Sequence, residues 1–221
     1  MLYLVATPIG NLKDITLRAL ETLSACDFII AENPKNSLKL LQHYQIPKKQ
    51  IIQFAEHNEQ RVLPTLIPKL KSQNACLITD AGTPGISDPG FRLVRACIQE
   101  GIEVVSVPGP SAVLTALTTS GLPTDRFLFV GFLPRTENKI VKLIKLGHET
   151  ASTLIAFDSP HRIIKTVGFI KNIHPDCKIV VARELTKLHE ELLQGTPEKV
   201  LEKLNAMPSV RGEITLLVSF K

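Results

Sequence analysis

Thr79–Gly90 reads TDAGTPGISDPG, with three glycines, two prolines and two aspartates in twelve residues. An apolar run, Ala75–Ile78, precedes it, and a helical pattern, Phe91–Gln99, follows it. Strand, glycine-rich loop and helix in this order are how an α/β sheet builds a site at the carboxyl end of a strand. Glycine lets the backbone approach a ligand, and proline fixes φ so that the loop holds its shape. Asp80 and Asp88 supply acceptors, and no phosphate-binding lysine accompanies them. That favours a ligand bearing hydroxyls and amines over a triphosphate. The plain alternative is a tight turn with two caps.

Upstream, Leu2–Ala6, Asp27–Ala31 and Ile51–Phe54 are short apolar runs that read as buried strands. Helical spacing follows each, with Asp14 or Thr16 as a cap for the first helix. The Glu56–Lys71 helix should be shortened or kinked by Pro64 and Pro68. Downstream, Ile102–Val107 closes on Pro108-Gly109-Pro110-Ser111, where another helix begins. Repeated strand–loop–helix units predict a parallel sheet with helices on its faces. After Gly121-Leu122-Pro123-Thr124-Asp125 the pattern changes. Strands are expected at Arg126–Phe132, Thr153–Phe157, Lys178–Ala182, Glu190–Gly195 and Glu213–Phe220, and helices at Asn138–Leu146, Ile163–Ile173 and Glu198–Leu204. Two α/β layers in tandem fit this better than one sheet, with domains expected at 1–116 and 117–221.

The composition is that of a globular chain: 221 residues, 44% hydrophobic and 21% charged. No apolar run approaches bilayer length, and the start, MLYLVATPIGN, lacks a basic n-region and reads as a first strand. No membrane association is expected. Cys26, Cys76, Cys97 and Cys177 are widely spaced, without a CxxC pair. They read as buried reduced thiols of a cytoplasmic protein, and no metal site is expected. Net charge is +5, with 11 basic and 10 acidic residues in 1–113 against 15 and 11 thereafter. The excess in the second half permits an anionic partner without requiring one.

Polar clusters fall at several predicted strand ends: TPIGN, AEN, TDAGTPGISDPG, VPGPSA, FDSPHR and RELTK. Ligands of open α/β sheets bind outside the carboxyl ends of strands, so this shared location outweighs any single motif. Ser111 could hold a carboxylate at a helix start or act as a plain N-cap. Ser159-Pro160-His161-Arg162 could grip an anionic substrate, or Ser159 could cap while His161 and Arg162 stay solvated. Arg183-Glu184 reads as a surface ion pair or as a positioning group. A hydrolase triad of Ser111, His161 and Asp80 lacks the G-x-S-x-G elbow such enzymes carry.

TPIGNLKDITLRALETL, LITDAGTPGISDPGFRLV, VPGPSA, SGLPTDRFLFVGFLP, DSPHR and ARELTKLHEE occur in order from end to end. Together they resemble the ribosomal RNA small-subunit methyltransferase I family of the tetrapyrrole-methylase superfamily. The resemblance implies two αβα domains, with S-adenosylmethionine in the cleft between them. It further implies 2′-O-methylation of a cytidine ribose in small-subunit rRNA by a homodimer. By the same resemblance Pro8, Asp80, Gly82, Ile86, Ser87, Pro110, Ser111 and Ala112 would contact the cofactor from the first domain. Phe157, Leu185 and Gly212 would line its second-domain side. Glu184, Asp158 and His161 are the candidate proton acceptors, Glu184 favoured. Arg126, Arg162, Arg183 and Lys187 are the candidate RNA contacts. Two motifs depart from the family: Ala31-Glu32-Asn33-Pro34-Lys35 stands for Ala-Glu-Asp-Thr-Arg, and Asp158 for a glutamate. The chain also stops at Lys221, where many members carry a further small domain. A methylase of a small tetrapyrrole-like molecule and a non-catalytic RNA- or ribosome-binding paralogue are the alternatives.

Overall fold

The structure, a computed structural model, describes residues 1–220. The chain divides into two compact units, Met1–Ser111 and Ala112–Lys221.

In the first unit, strands β1 (Leu2–Val5), β2 (Phe28–Ala31), β3 (Gln50–Gln53), β4 (Ala75–Ile78) and β5 (Val104–Val107) form one sheet in the order β3-β2-β4-β1-β5. Every pairing in it is parallel. β2 and β4 are buried along their whole length, which is why they read as continuous apolar runs rather than alternating ones. Helices α1 (Leu17–Ala25) and α2 (Pro34–His43) cover one face, where Leu23 and Leu41 pack on Ile29, Cys76 and Ile78. Helices α3 (Glu59–Leu70) and α4 (Phe91–Gln99) cover the other, packing Leu66 and Leu93 on Phe28, Ile30 and Leu77.

Of the two predicted caps, Thr16 starts α1, accepting the Ala19 N–H at 3.1 Å. Asp14 instead ends a 3-10 turn, Leu12–Asp14. α3 runs through both prolines. They lie four residues apart and are both exposed, so the carbonyls they leave without a helical partner can meet water.

In the second unit, β6 (Phe127–Phe132), β7 (Thr153–Asp158), β8 (Lys178–Arg183), β9 (Glu191–Gly195) and β10 (Ile214–Ser219) are ordered β6-β7-β10-β8-β9. Only β6 and β7 run parallel; β10 lies antiparallel between β7 and β8, and β9 returns antiparallel beside β8. Helices α6 (Glu137–Glu149), α7 (Ile163–Ile173) and α8 (Pro197–Asn205) share one core with this sheet through Ile144, Val167, Ile170 and Val200. Helix α5 (Ala112–Thr119) packs on β10 and β7 and belongs wholly to this unit.

All four cysteines are buried and free. Among the described residues, no helix is long and apolar enough to cross a membrane, and no group of three His, Cys, Asp or Glu is placed to hold a metal.

Candidate active site

The carboxyl edge of the first sheet is where β1, β4 and β5 release their loops. Thr7, just past β1, and Gly82 exchange two backbone hydrogen bonds, Thr7 N to Gly82 O at 2.9 Å and Gly82 N to Thr7 O at 3.0 Å. The Thr7 hydroxyl also donates to the Thr79 carbonyl at 3.2 Å. Gly82 sits at φ +77°, a conformation side chains disfavour. From it the chain passes Thr83, whose hydroxyl donates to the Pro110 carbonyl at 3.4 Å. This stitches the β4 loop to the β5 loop. At its far end the loop is held by Glu59, a buried α3 residue that accepts the Gly90 N–H at 3.3 Å. The Arg92 guanidinium faces the same carboxylate at 3.6 Å.

The residues implied as cofactor contacts within 1–116 divide into two groups. Gly82, Ile86 and Ser87 lie on the β4 loop, and Pro110 and Ser111 end the β5 loop, with Ala112 opening α5. Ile86 is 48% exposed, and Ser87 is exposed at φ +62°. Asp80 and the buried Pro8 instead line a pocket of about 170 Å³ on the α2 side, shared with Leu12, Asn36, Lys39 and Leu40. Asn36 Nδ2 donates to Asp80 Oδ2 at 3.0 Å, and Glu32 Oε2 accepts the Asp80 N–H at 3.2 Å. Sequence reasoning missed Asn36, Lys39 and Leu40. The i, i+3, i+4 spacing from Asn36 puts them on one helix face, but nothing local says which side of the sheet that face meets.

The second unit turns most of its predicted site residues inward. Asp158, at the end of β7, has a fully buried side chain and pairs with Arg162, whose side chain is 25% exposed. Asp158 Oδ1 also accepts the Ser159 N–H at 2.8 Å, while its Oδ2 is buried without a partner. The other arms of Arg162 donate to the carbonyls of Leu133 at 2.6 Å and Pro134 at 3.3 Å. Arg162 thus ties the loop after β6 to the loop after β7, rather than reaching out for phosphate. Arg183 behaves likewise, donating twice to Glu191 Oε2, at 2.8 and 3.2 Å, and once to the Arg211 carbonyl at 3.1 Å. Exposed Arg126 donates to the Thr150 carbonyl at 3.0 Å.

Glu184 occupies a left-handed turn at φ +52°. Its Oε1 accepts the Glu213 N–H at 2.9 Å and Lys187 Nζ at 2.9 Å, and Lys187 also reaches Glu213 Oε2 at 3.0 Å. The Glu213 N–H, followed by the Lys187 ammonium, holds the Glu184 carboxyl below its ordinary range. Burial opposes the charge on Lys187, but the Glu184 and Glu213 carboxylates outweigh it and hold its ammonium above the usual range. Gly212, at φ +89°, is where a Cβ would overlap the Glu184 side chain. This glycine therefore makes room for Glu184. A carboxylate held in this way is a weaker base, so its geometry argues for a brace and against the favoured proton acceptor. Leu185 is buried beside it, and Phe157 packs edge-on against Phe129 and Phe132. Exposed His161 is different: its backbone N–H is held by the Ser159 hydroxyl at 3.3 Å, while its ring has no partner among the described residues.

The Glu184 brace gives a pH signature. A carboxyl whose folded pKa is lowered adds stability above its unfolded pKa and loses that contribution as pH falls through the folded value. Wild type should therefore lose stability more steeply than Glu184→Gln on acidification below about pH 4. Urea midpoints of the two proteins at pH 7 and at pH 3 check this, and parallel losses would contradict it.

Two layered α/β units, the first with glycine- and proline-rich loops at the carboxyl edge of a parallel sheet, define an α/β protein with a ligand-binding sheet edge. The profile of the tetrapyrrole (corrin/porphyrin) methylases matches residues 1–201. Proteins named ribosomal RNA small subunit methyltransferase I align along the whole chain. The Hydrogenobaculum protein is 42% identical over 219 residues, covering 99% of this chain and 95% of its own. The Thermotoga maritima protein is 42% identical, covering 100% and 98%, and the Haemophilus influenzae protein 46%, covering 100% and 79%. A crystal structure of diphthine synthase superposes with a TM-score of 0.77 at 16% identity, covering 99% of this chain and 89% of that one, a likeness of fold alone. The chain belongs to the tetrapyrrole methylase family and, within it, to the ribosomal RNA small subunit methyltransferase I family, and it is a methyltransferase.

Proposed function

We propose that this protein transfers a methyl group from S-adenosylmethionine to the ribose 2′-oxygen of a cytidine in small-subunit rRNA. The observation that carries the reading is end-to-end relatedness, at 42–46% identity, to proteins named for that class of reaction. We place it in the cytoplasm as a homodimer, as the family resemblance implies.

The residues present fit the cofactor. At Gly109 a Cβ would lie 3.0 Å from the Ala6 Cβ, so the β5 loop comes as close to the end of β1 as glycine allows. The backbone at Pro110-Ser111-Ala112 leads into the first turn of α5, and the positive end of a helix dipole suits a carboxylate. Exposed Ile86 offers an apolar surface, and Ser87 a hydroxyl. Phe157 and Leu185 remain apolar candidates; Gly212 contributes through Glu184 rather than through open space. When bound, the cofactor supplies a methyl group already activated for displacement.

The chain's part is to align the ribose oxygen, exclude water and take its proton. Of the three candidate acceptors, Asp158 is paired with Arg162 and Glu184 with Lys187 and the Glu213 N–H. We assign the proton to His161. Arg126 is the most exposed of the four candidate RNA contacts and keeps N–H groups for a phosphate.

The test uses small ribosomal subunits from a strain lacking the gene. Incubation with the purified protein and labelled S-adenosylmethionine should yield one 2′-O-methylcytidine on nucleoside mass spectrometry. Label in a small molecule, or none in RNA, would overturn the reading.

A further inference from the structure

We propose that the pocket between α2 and the ends of β1 and β4 receives the base of the target cytidine and reads its Watson–Crick edge. The inference rests on the substrate reading above. The pocket measures about 170 Å³. A cavity of about 150 Å³ takes one benzene-sized ring. It therefore has room for a pyrimidine ring.

Of the polar residues that line it, Asp80, Asn36 and Lys39 keep groups for a ligand. Asp80 and Asn36 are joined at 3.0 Å, and Lys39 stands one helical turn beyond Asn36. Among the described residues, Asp80 Oδ1, the second Nδ2 hydrogen of Asn36 and the Lys39 ammonium have no partner. They offer one acceptor and two donors. Cytosine offers the complement: the N4 amino donor, the N3 acceptor and the O2 acceptor. Uracil reverses the first two, setting its O4 against the Asp80 carboxylate. Aspartate accepting from cytosine N4 is an established mode of base reading.

Pro8, Leu12 and Leu40 supply the apolar walls for the ring. The turn carrying Leu12 is pinned to α2 by the Tyr44 hydroxyl, which donates to the Leu12 carbonyl. Glu32, accepting the Asp80 N–H, fixes the reading edge from behind. A base seated here must be single-stranded or turned out of its stack. Asp80 thus addresses the substrate rather than the cofactor.

The test first maps the nucleotide that wild type methylates, then compares reconstituted subunits carrying cytidine or uridine there. Asp80→Asn, a change at an exposed residue, should reduce the cytidine-over-uridine preference in kcat/KM at least about tenfold. Asn36→Ala should also reduce it. Calorimetric affinity of Asp80→Asn for S-adenosylmethionine should stay at the wild-type value. An unchanged cytidine preference in both variants, or lost cofactor affinity in Asp80→Asn, would overturn the pocket assignment. Wild type that methylates no ribosomal RNA would instead overturn the substrate reading, and the pocket assignment with it, before any variant is made.

Discussion

Arg162→Ala is expected to destabilise the second unit by about 3 kcal/mol, with a fall in Tm of roughly 10 °C. The Asp158 side chain is fully buried, and its Oδ2 has no partner even with Arg162 in place. Removing the guanidinium leaves that carboxylate in the interior without a countercharge. It also strips the Leu133 and Pro134 carbonyls of their donors. Such a loss costs far more than that of a surface ion pair, because water cannot replace the missing partner. The double variant Asp158→Asn/Arg162→Ala should recover part of the loss, since an amide needs no countercharge. Denaturant unfolding of wild type, single and double variants measures both effects. If Arg162→Ala melted with wild type while losing RNA affinity, the arginine would be a phosphate contact after all.

His161→Gln is expected to lower kcat about 10²- to 10⁴-fold, the range general-base catalysis supplies. Thermal stability should hardly change, because the ring is exposed and makes no internal contact that the fold depends on. Cofactor affinity should hold as well. A kcat within about threefold of wild type would remove His161 from the proton transfer.

Much of the architecture is local and therefore legible in the chain. β4, α4 and α7 occupy Ala75–Ile78, Phe91–Gln99 and Ile163–Ile173, the spans their apolar spacing predicts. Strand or helix is decided over a few residues by periodicity and by glycine and proline at the ends. α3 covers Glu59–Leu70, shorter than the Glu56–Lys71 span read from the sequence, with both prolines inside it and facing solvent.

The candidate site was legible as a set of loops but not as a set of roles. Sequence alone determined that the TDAGTPGISDPG segment is a glycine-rich loop between a buried strand and a helix, and that the chain repeats such units. Tertiary structure decided which charges face outward. Arg162, Arg183 and Glu184 look available in the sequence, yet each meets partners 28 or 29 residues distant: the Leu133 and Pro134 carbonyls, the Arg211 carbonyl and the Glu213 N–H. Asn36 meets Asp80 across 44 residues. Backbone conformation follows from neighbouring residues, whereas a side chain's charge is spent on whatever the fold brings within about 3 Å of it.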